Sequence, residues 1–178
     1  MELIIGQKVA YPNQGVCLVE GFKQYTFGTR CMSGYSLRVL NDNSTIFVPE
    51  DNAGSVGIRP LISTAECHRL IDMLSDDFEP VSGDWKTRSR EFTEKLRTGD
   101  VFQAAVVLKM LTFLSREKKL SFREQTLLEK SKFLIISEIT NADPKNKSHL
   151  ESQIVTLVES ACSKHVFTQP SVMVASVH

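Results

Sequence analysis

Gly54-Ser55-Val56-Gly57-Ile58-Arg59-Pro60-Leu61-Ile62-Ser63-Thr64-Ala65-Glu66-Cys67 is the stretch where the chain changes its period. Before it, short runs rich in β-branched and aromatic residues alternate with turn residues. After it, apolar residues recur three and four apart. The Gly54–Pro60 part is a stiff connector. Ser63 with Glu66 is a capping box, in which hydroxyl and carboxylate each satisfy an orphan backbone group at a helix start. A β module therefore gives way to a helical one near Pro60.

Working upstream, the strand-like runs are Lys8–Tyr11, Val16–Phe22, Gly34–Leu40 and Ser44–Val48. Pro12-Asn13-Gln14-Gly15, Gly28-Thr29-Arg30 and Asn41-Asp42-Asn43 separate them with turn chemistry. Pro49 stops the last run. Strands so short and closely spaced predict a small, strongly bent sheet or barrel.

Downstream, Cys67, Leu70, Ile71 and Leu74 share one helix face. Asp84 is an N-cap candidate for a helix to about Arg97, ended by Thr98-Gly99. Asp100 caps the next helix, with Val101, Ala104, Ala105, Leu108, Leu111 and Leu114 at helical spacing. Ser121 with Glu124 opens a long helix, and Ser148 with Glu151 a fifth. After about Ser163 no period remains. The predicted fold is α+β in two domains, residues 1–60 and 61–162, with a loose tail at 163–178. The helical part is a compact bundle of about five helices.

Net formal charge is zero, which excludes a nucleic-acid coat protein driven mainly by counterion release. The average conceals a polarity. Residues 61–84 carry one basic and six acidic side chains, whereas residues 85–132 carry twelve and six. Cys17, Cys31, Cys67 and Cys162 lack metal-site spacing, and read as small core residues in a reducing cytoplasm. No apolar run approaches 18 residues, so no membrane association is expected.

No catalytic constellation can be assembled. The histidines, His68, His149, His165 and His178, are dispersed, and no phosphate-loop, dinucleotide or nucleophile motif is present. The acidic pairs Asp76-Asp77 and Glu50-Asp51 sit in polar turns. The reading is of a binding protein, monomeric and without cofactor or metal.

Trp85, the only tryptophan, stands at the junction of the acidic and basic stretches. With Asp84 as N-cap it falls in the first turn of a helix, beside Lys86, Arg88 and Arg90. Free N–H groups at a helix start favour phosphate. An aromatic wedge unstacks base steps and holds a bend or opening. Stacking on an exposed base is worth on the order of 1–3 kcal/mol. The combination predicts a shape-sensitive DNA binder without a strong sequence code. Arg116, Lys118, Lys119, Arg123, Lys130 and Lys132 are candidates to extend the basic face. The plainer reading makes Trp85 an anchor holding a loop against its helix, and the cations a solvated face.

At these residues the chain resembles the CarD/CdnL family of bacterial transcription factors, from Met1 to about Ala161. The resemblance rests on Val9-Ala10-Tyr11-Pro12-Asn13-Gln14-Gly15, Phe47-Val48-Pro49 and Gly54–Arg59 in the β module. In the helical part it rests on Trp85 with Arg88, on Glu94-Lys95-Leu96-Arg97-Thr98-Gly99-Asp100-Val101, and on Leu120-Ser121-Phe122 followed by Glu124. It implies a Tudor-like barrel, similar to the polymerase-binding module of transcription-repair coupling factor, that docks on the RNA polymerase β subunit. The strand at Ser44, Thr45, Ile46, Phe47, Val48 and Pro49 would pair edge-on with polymerase, with Tyr25 beside it. Trp85 would wedge into the minor groove of promoter DNA at the upstream edge of the bubble and slow its collapse. Lys86, Arg88, Arg90, Lys130 and Lys132 would contact DNA.

The chain departs from the family pattern at both surfaces. Arginines of the best-characterised branch are replaced by Tyr25 and Phe47, so charge pairing is weaker or replaced by apolar contact. Thr87-Arg88 stands where that branch has two arginines, with Lys86 or Arg90 as the offset. A reading from another class is a protein-only adaptor, in which Trp85 is a protein hot spot. Salt-dependent binding to bubble DNA separates the two.

Overall fold

The computed structural model describes residues 2–78, 84–143 and 150–164, without the side chains of Phe27, Arg30 and Trp85. Five antiparallel strands precede five helices, the α+β arrangement expected. The strands are β1 (Lys8–Tyr11), β2 (Gly15–Phe27), β3 (Arg30–Val39), β4 (Thr45–Pro49) and β5 (Arg59–Pro60), and they lie in the order β4-β3-β2-β1-β5. A register shift between Val19 and Gly21 bends the long β2–β3 ribbon. One sheet face closes over Leu3, Val9, Cys17, Val19, Tyr35, Leu37, Val39, Val48, Ala53 and Ile58.

Two expectations for this half need correction. The β2–β3 ribbon runs past Phe22 to Phe27 and back from Arg30, because the ladder and the Tyr25–Met32 cross-strand pair carry it beyond the core. Arg59–Pro60 is no mere connector but a short strand, pairing Val9 with Pro60 and Ala10 with Arg59. Pro49 closes β4 as its last residue, as expected. The strand lies at the sheet edge, where a missing N–H breaks no ladder bond.

The helices are α1 (Thr64–Ser75), α2 (Trp85–Arg97), α3 (Val101–Glu117), α4 (Phe122–Ala142) and α5 (Leu150–Lys164). Both described capping boxes form, at Ser63 with Glu66 and at Ser121 with Glu124, while Asp84 and Asp100 cap α2 and α3. Ser148 lies outside the described residues. The helical stripes meet in one core built on Leu70, Leu74, Phe92, Leu111, Ile135 and Ile154. α5 continues through Ser163 and Lys164, where a tail was expected to begin. Arg116 of α3 holds its end, donating to Ser163 Oγ at 2.9 Å and to the Glu159 carbonyl at 2.7 Å.

Two residue assignments also change. Cys31 is exposed, unlike the buried Cys17, Cys67 and Cys162. Burial pushes the Cys17 thiol up to about 11, which keeps it protonated and inert. Lys109, one of the twelve cations of the basic stretch, is buried in the helical core. Its ammonium donates to the Met73 and Asp76 carbonyls, each at 2.6 Å, and sits 5.4 Å from the centre of the Phe78 ring. It closes the end of α1 instead of adding to a surface charge.

Sheet and helices join along a polar seam. Arg59 forks onto both carboxylate oxygens of Glu138 and also donates to the Gly99 carbonyl, at 2.8 and 3.1 Å. Glu138 accepts from the Ile62 amide at 3.1 Å. Alongside, the Val16 amide donates to Ser137 Oγ at 3.3 Å, and Lys8 to Asn141 Oδ1 at 3.0 Å. The Pro12 ring fills the space beside Gly99, where a Cβ would stand 2.9 Å from its Cγ. Gly99 also holds φ +76°, which L side chains rarely adopt.

Candidate functional site

The first of two candidate surfaces is the head of α2. Trp85 is its first residue, as expected from Asp84 as N-cap. Asp84 Oδ1 accepts from the amides of Lys86 at 2.7 Å and Thr87 at 2.9 Å, and Oδ2 from Thr87 Oγ1 at 3.2 Å. Those donors hold the Asp84 carboxyl below the usual carboxylate range. The expectation that these amides await a phosphate is thereby corrected. A carboxylate already takes these two amides, so they are not open to a phosphate.

The basic residues after Trp85 divide. Lys86 and Arg90 are exposed. Arg88 turns inward, its side chain only 11% exposed and its Nη2 3.5 Å from Glu124 Oε1. Glu124 is the hub of this region. It closes the α4 capping box with Ser121 and accepts from Lys118 at 3.2 Å. Burial raises its pKa, but the Ser121 and Lys118 donors outweigh this and bring it to about 2. It is an anion throughout the physiological range, tying the head of α4 to α2.

Phe122 is the first residue of α4, as Trp85 is of α2, and it is 85% exposed. Two helix starts, each led by an aromatic residue, are thus bridged through Arg88 and Glu124. Lys119 and Arg123 are exposed on either side of Phe122. Phe122 was read only as part of a similarity motif. The signal that singles it out is local: it follows its N-cap directly and falls outside the stripe of Leu127, Leu128, Ile135 and Ile139.

Lys130 and Lys132 do not join this surface. Two positions apart on a helix, they diverge by about 200°. Lys130 lies 5.5 Å from the centre of the Phe133 ring, and burial lowers its pKa. Lys132 pairs with Glu129 at 3.1 Å and Glu151 at 3.5 Å, bridging α4 to α5.

The second surface is the β4 edge. Tyr25 and Phe47 stack edge to face, with centroids 4.8 Å apart and planes at 81°. Met32 stands opposite Tyr25 in the register, and both are 39% exposed. Met32 extends this apolar patch, and was not anticipated. Along β4 the residues alternate. Ile46 and Val48 pack against the sheet core, so they offer backbone to a partner, while Thr45 is exposed. Ser44 precedes the strand, its amide donating to Asp42 Oδ1 at 2.9 Å.

Among the described residues, no group of three or more His, Cys, Asp or Glu is placed to hold a metal ion. None of the helices described is long and apolar enough to cross a membrane. Of the four histidines, His68 is exposed on α1, and the others lie outside the described residues.

Residues 3–62 match the CarD-like/TRCF RID domain, and residues 69–155 match the C-terminal domain of CarD. The chain is also similar to "Putative transcription factor YdeB" of Bacillus subtilis (strain 168). The two are 25% identical over 135 residues, spanning 76% of this chain and 88% of that protein. Its sheet matches one module of the family and its helices the other, in the same order, and the chain belongs to the CarD-like family of transcription factors.

Proposed function

We propose that this protein binds RNA polymerase through β4 and stabilises the open promoter complex through the aromatic heads of α2 and α4, without catalysis. The docking partner is the polymerase β subunit, met edge-on by the β4 backbone and by the Tyr25–Met32–Phe47 patch. The DNA partner is the minor groove at the upstream edge of the bubble. Trp85 is the wedge, Phe122 a second apolar contact, and Lys86, Arg90, Lys119 and Arg123 meet phosphates. Arg88 acts by holding the two helix heads together. Lys130 and Lys132 are peripheral in this scheme.

The observation that carries the reading is the exposed Phe122 at the start of a helix locked to the one Trp85 opens. A large aromatic left in water, with exposed Lys119 and Arg123 close to it in the chain, suits a polyanion with stackable bases.

The test is open-complex lifetime with purified cognate polymerase. The wild-type protein lengthens it, and Trp85→Ala removes the gain while the helical transition in circular dichroism is kept. A Trp85→Ala chain that no longer folds its helices would make Trp85 a core anchor. Binding to bubble DNA that does not respond to salt would favour the adaptor reading, with Phe122 and Trp85 as protein contacts.

A further inference from the structure

We propose that Arg59 and Glu138 are positioning residues, which set where Trp85 stands relative to the docking edge β4. The inference rests on the two-surface reading above, but its geometry does not.

Three sequence segments that mark the family resemblance meet at one place. The β1–β2 turn brings Pro12 and Gly15, with Gly15 backed onto the Phe133 ring. The stretch before β5 brings Gly57 against Pro12, and then Arg59. The α2–α3 turn brings Gly99. None of these residues belongs to either candidate surface. What they share is the seam between sheet and helices, and Arg59 reaches across it from β5 to two helical segments at once. It pairs with Glu138 of α4 and with the Gly99 carbonyl at the end of α2.

The placement gives Arg59 leverage. Trp85 begins α2, and Gly99 follows the end of that helix. At 1.5 Å per residue, about 20 Å separates them. A tilt of about 10° at Gly99 moves the Trp85 end by about 3.5 Å, roughly one base step along a strand. A wedge that must enter between bases fails at that error. A polymerase-bound sheet fixes β4, so the seam decides whether the wedge arrives.

A buried ion pair is a poor source of net stability, because desolvation offsets much of the attraction. Its bidentate geometry does specify one arrangement. Glu138 is 4% exposed and fully engaged by Arg59 and the Ile62 amide, so sliding the seam breaks several bonds together.

The experiment uses the full chain with spin labels at the native, exposed Cys31 on the β3 side and at an introduced cysteine, Glu91→Cys, on α2. The remaining cysteines are buried. Pulsed dipolar spectroscopy should give one narrow distance distribution in the parent. Glu138→Gln and Arg59→Lys should each broaden or shift it, while circular dichroism and polymerase co-purification stay at parental levels and the gain in open-complex lifetime is lost. Distributions as narrow as the parent's in both variants would overturn the proposal, leaving packing at Pro12 and Phe133 to hold the seam. Retention of the lifetime gain despite a broadened distribution would overturn it equally. If the parent itself fails to lengthen the lifetime, the functional reading falls, and the distance distributions still decide whether the pair sets the geometry.

Discussion

Gly34 lies directly beneath the ring of Phe47: a Cβ at residue 34 would stand 2.8 Å from the ring's Cζ and 2.9 Å from the Pro49 Cα. The absent side chain lets Phe47 lean across β3 to Tyr25. Glycine in a strand interior normally weakens it, and here it admits a close approach. Gly34→Ala should force β3 and β4 apart, lowering stability by about 1–3 kcal/mol. It should also scatter the aromatic pair, so that polymerase co-purification falls more than stability does. Thermal unfolding and co-purification on the same variant check this. An alanine variant as stable as the parent would remove the packing argument.

Phe47→Asp should abolish co-purification while leaving bubble-DNA binding unchanged, because β4 and the helix heads are separate surfaces. Anisotropy with labelled DNA measures one arm and co-purification the other. Unchanged co-purification would count against β4 as the docking edge.

Phe122→Ala should leave stability within about 0.5 kcal/mol, since the ring buries little in the free protein. The gain in open-complex lifetime should nevertheless fall. A chemical melt and a lifetime assay separate the outcomes. A variant that retains the full gain would leave Trp85 to act alone.

Salt dependence should distinguish the arginines. The Lys86 and Thr87 amides are taken by Asp84, so the exposed basic side chains should carry most of the counterion release. Arg90→Ala should flatten the slope of log K against log salt by about 0.9. Arg88→Ala should leave that slope alone and lower the melting temperature instead, because its partner is Glu124.

Acid should loosen the helix heads. Glu124 has its folded pKa depressed from the ordinary 4.5 to about 2. Its contribution is therefore complete above about pH 4.5 and is lost as pH falls toward 2. The shift corresponds to about 3 kcal/mol for this buried group. Urea midpoints across that window should fall in the parent. In Glu124→Gln they should start lower and fall less.

What was legible in the sequence was mostly local. Ser63 with Glu66, Asp84, and Ser121 with Glu124 announce helix starts because each cap is made within four residues. That placed Trp85 at the head of α2 without further help. β5 was missed because its partner, β1, lies about fifty residues upstream, and a two-residue strand leaves no period to read. Lys109 and Arg88 were counted as surface cations because charge says nothing of direction. One of them ends at the carbonyls closing α1, and the other at a carboxylate 36 residues on. Trp85's loss of phosphate-ready amides follows from the same cap that located it, since a side chain that satisfies a helix start also occupies it.

β4 leaves one row of backbone amides and carbonyls without a ladder partner in the sheet order. The free protein thus presents an unfinished sheet, which a docked polymerase would complete under the proposed reading. An edge open to a foreign strand is open to a strand of another copy as well. Pro49, with no N–H to offer, blunts only one end of it. On the proposed docking mode, polymerase and a second copy would compete for the same backbone groups, so protein made in excess of its polymerase would be the more prone to pair with itself.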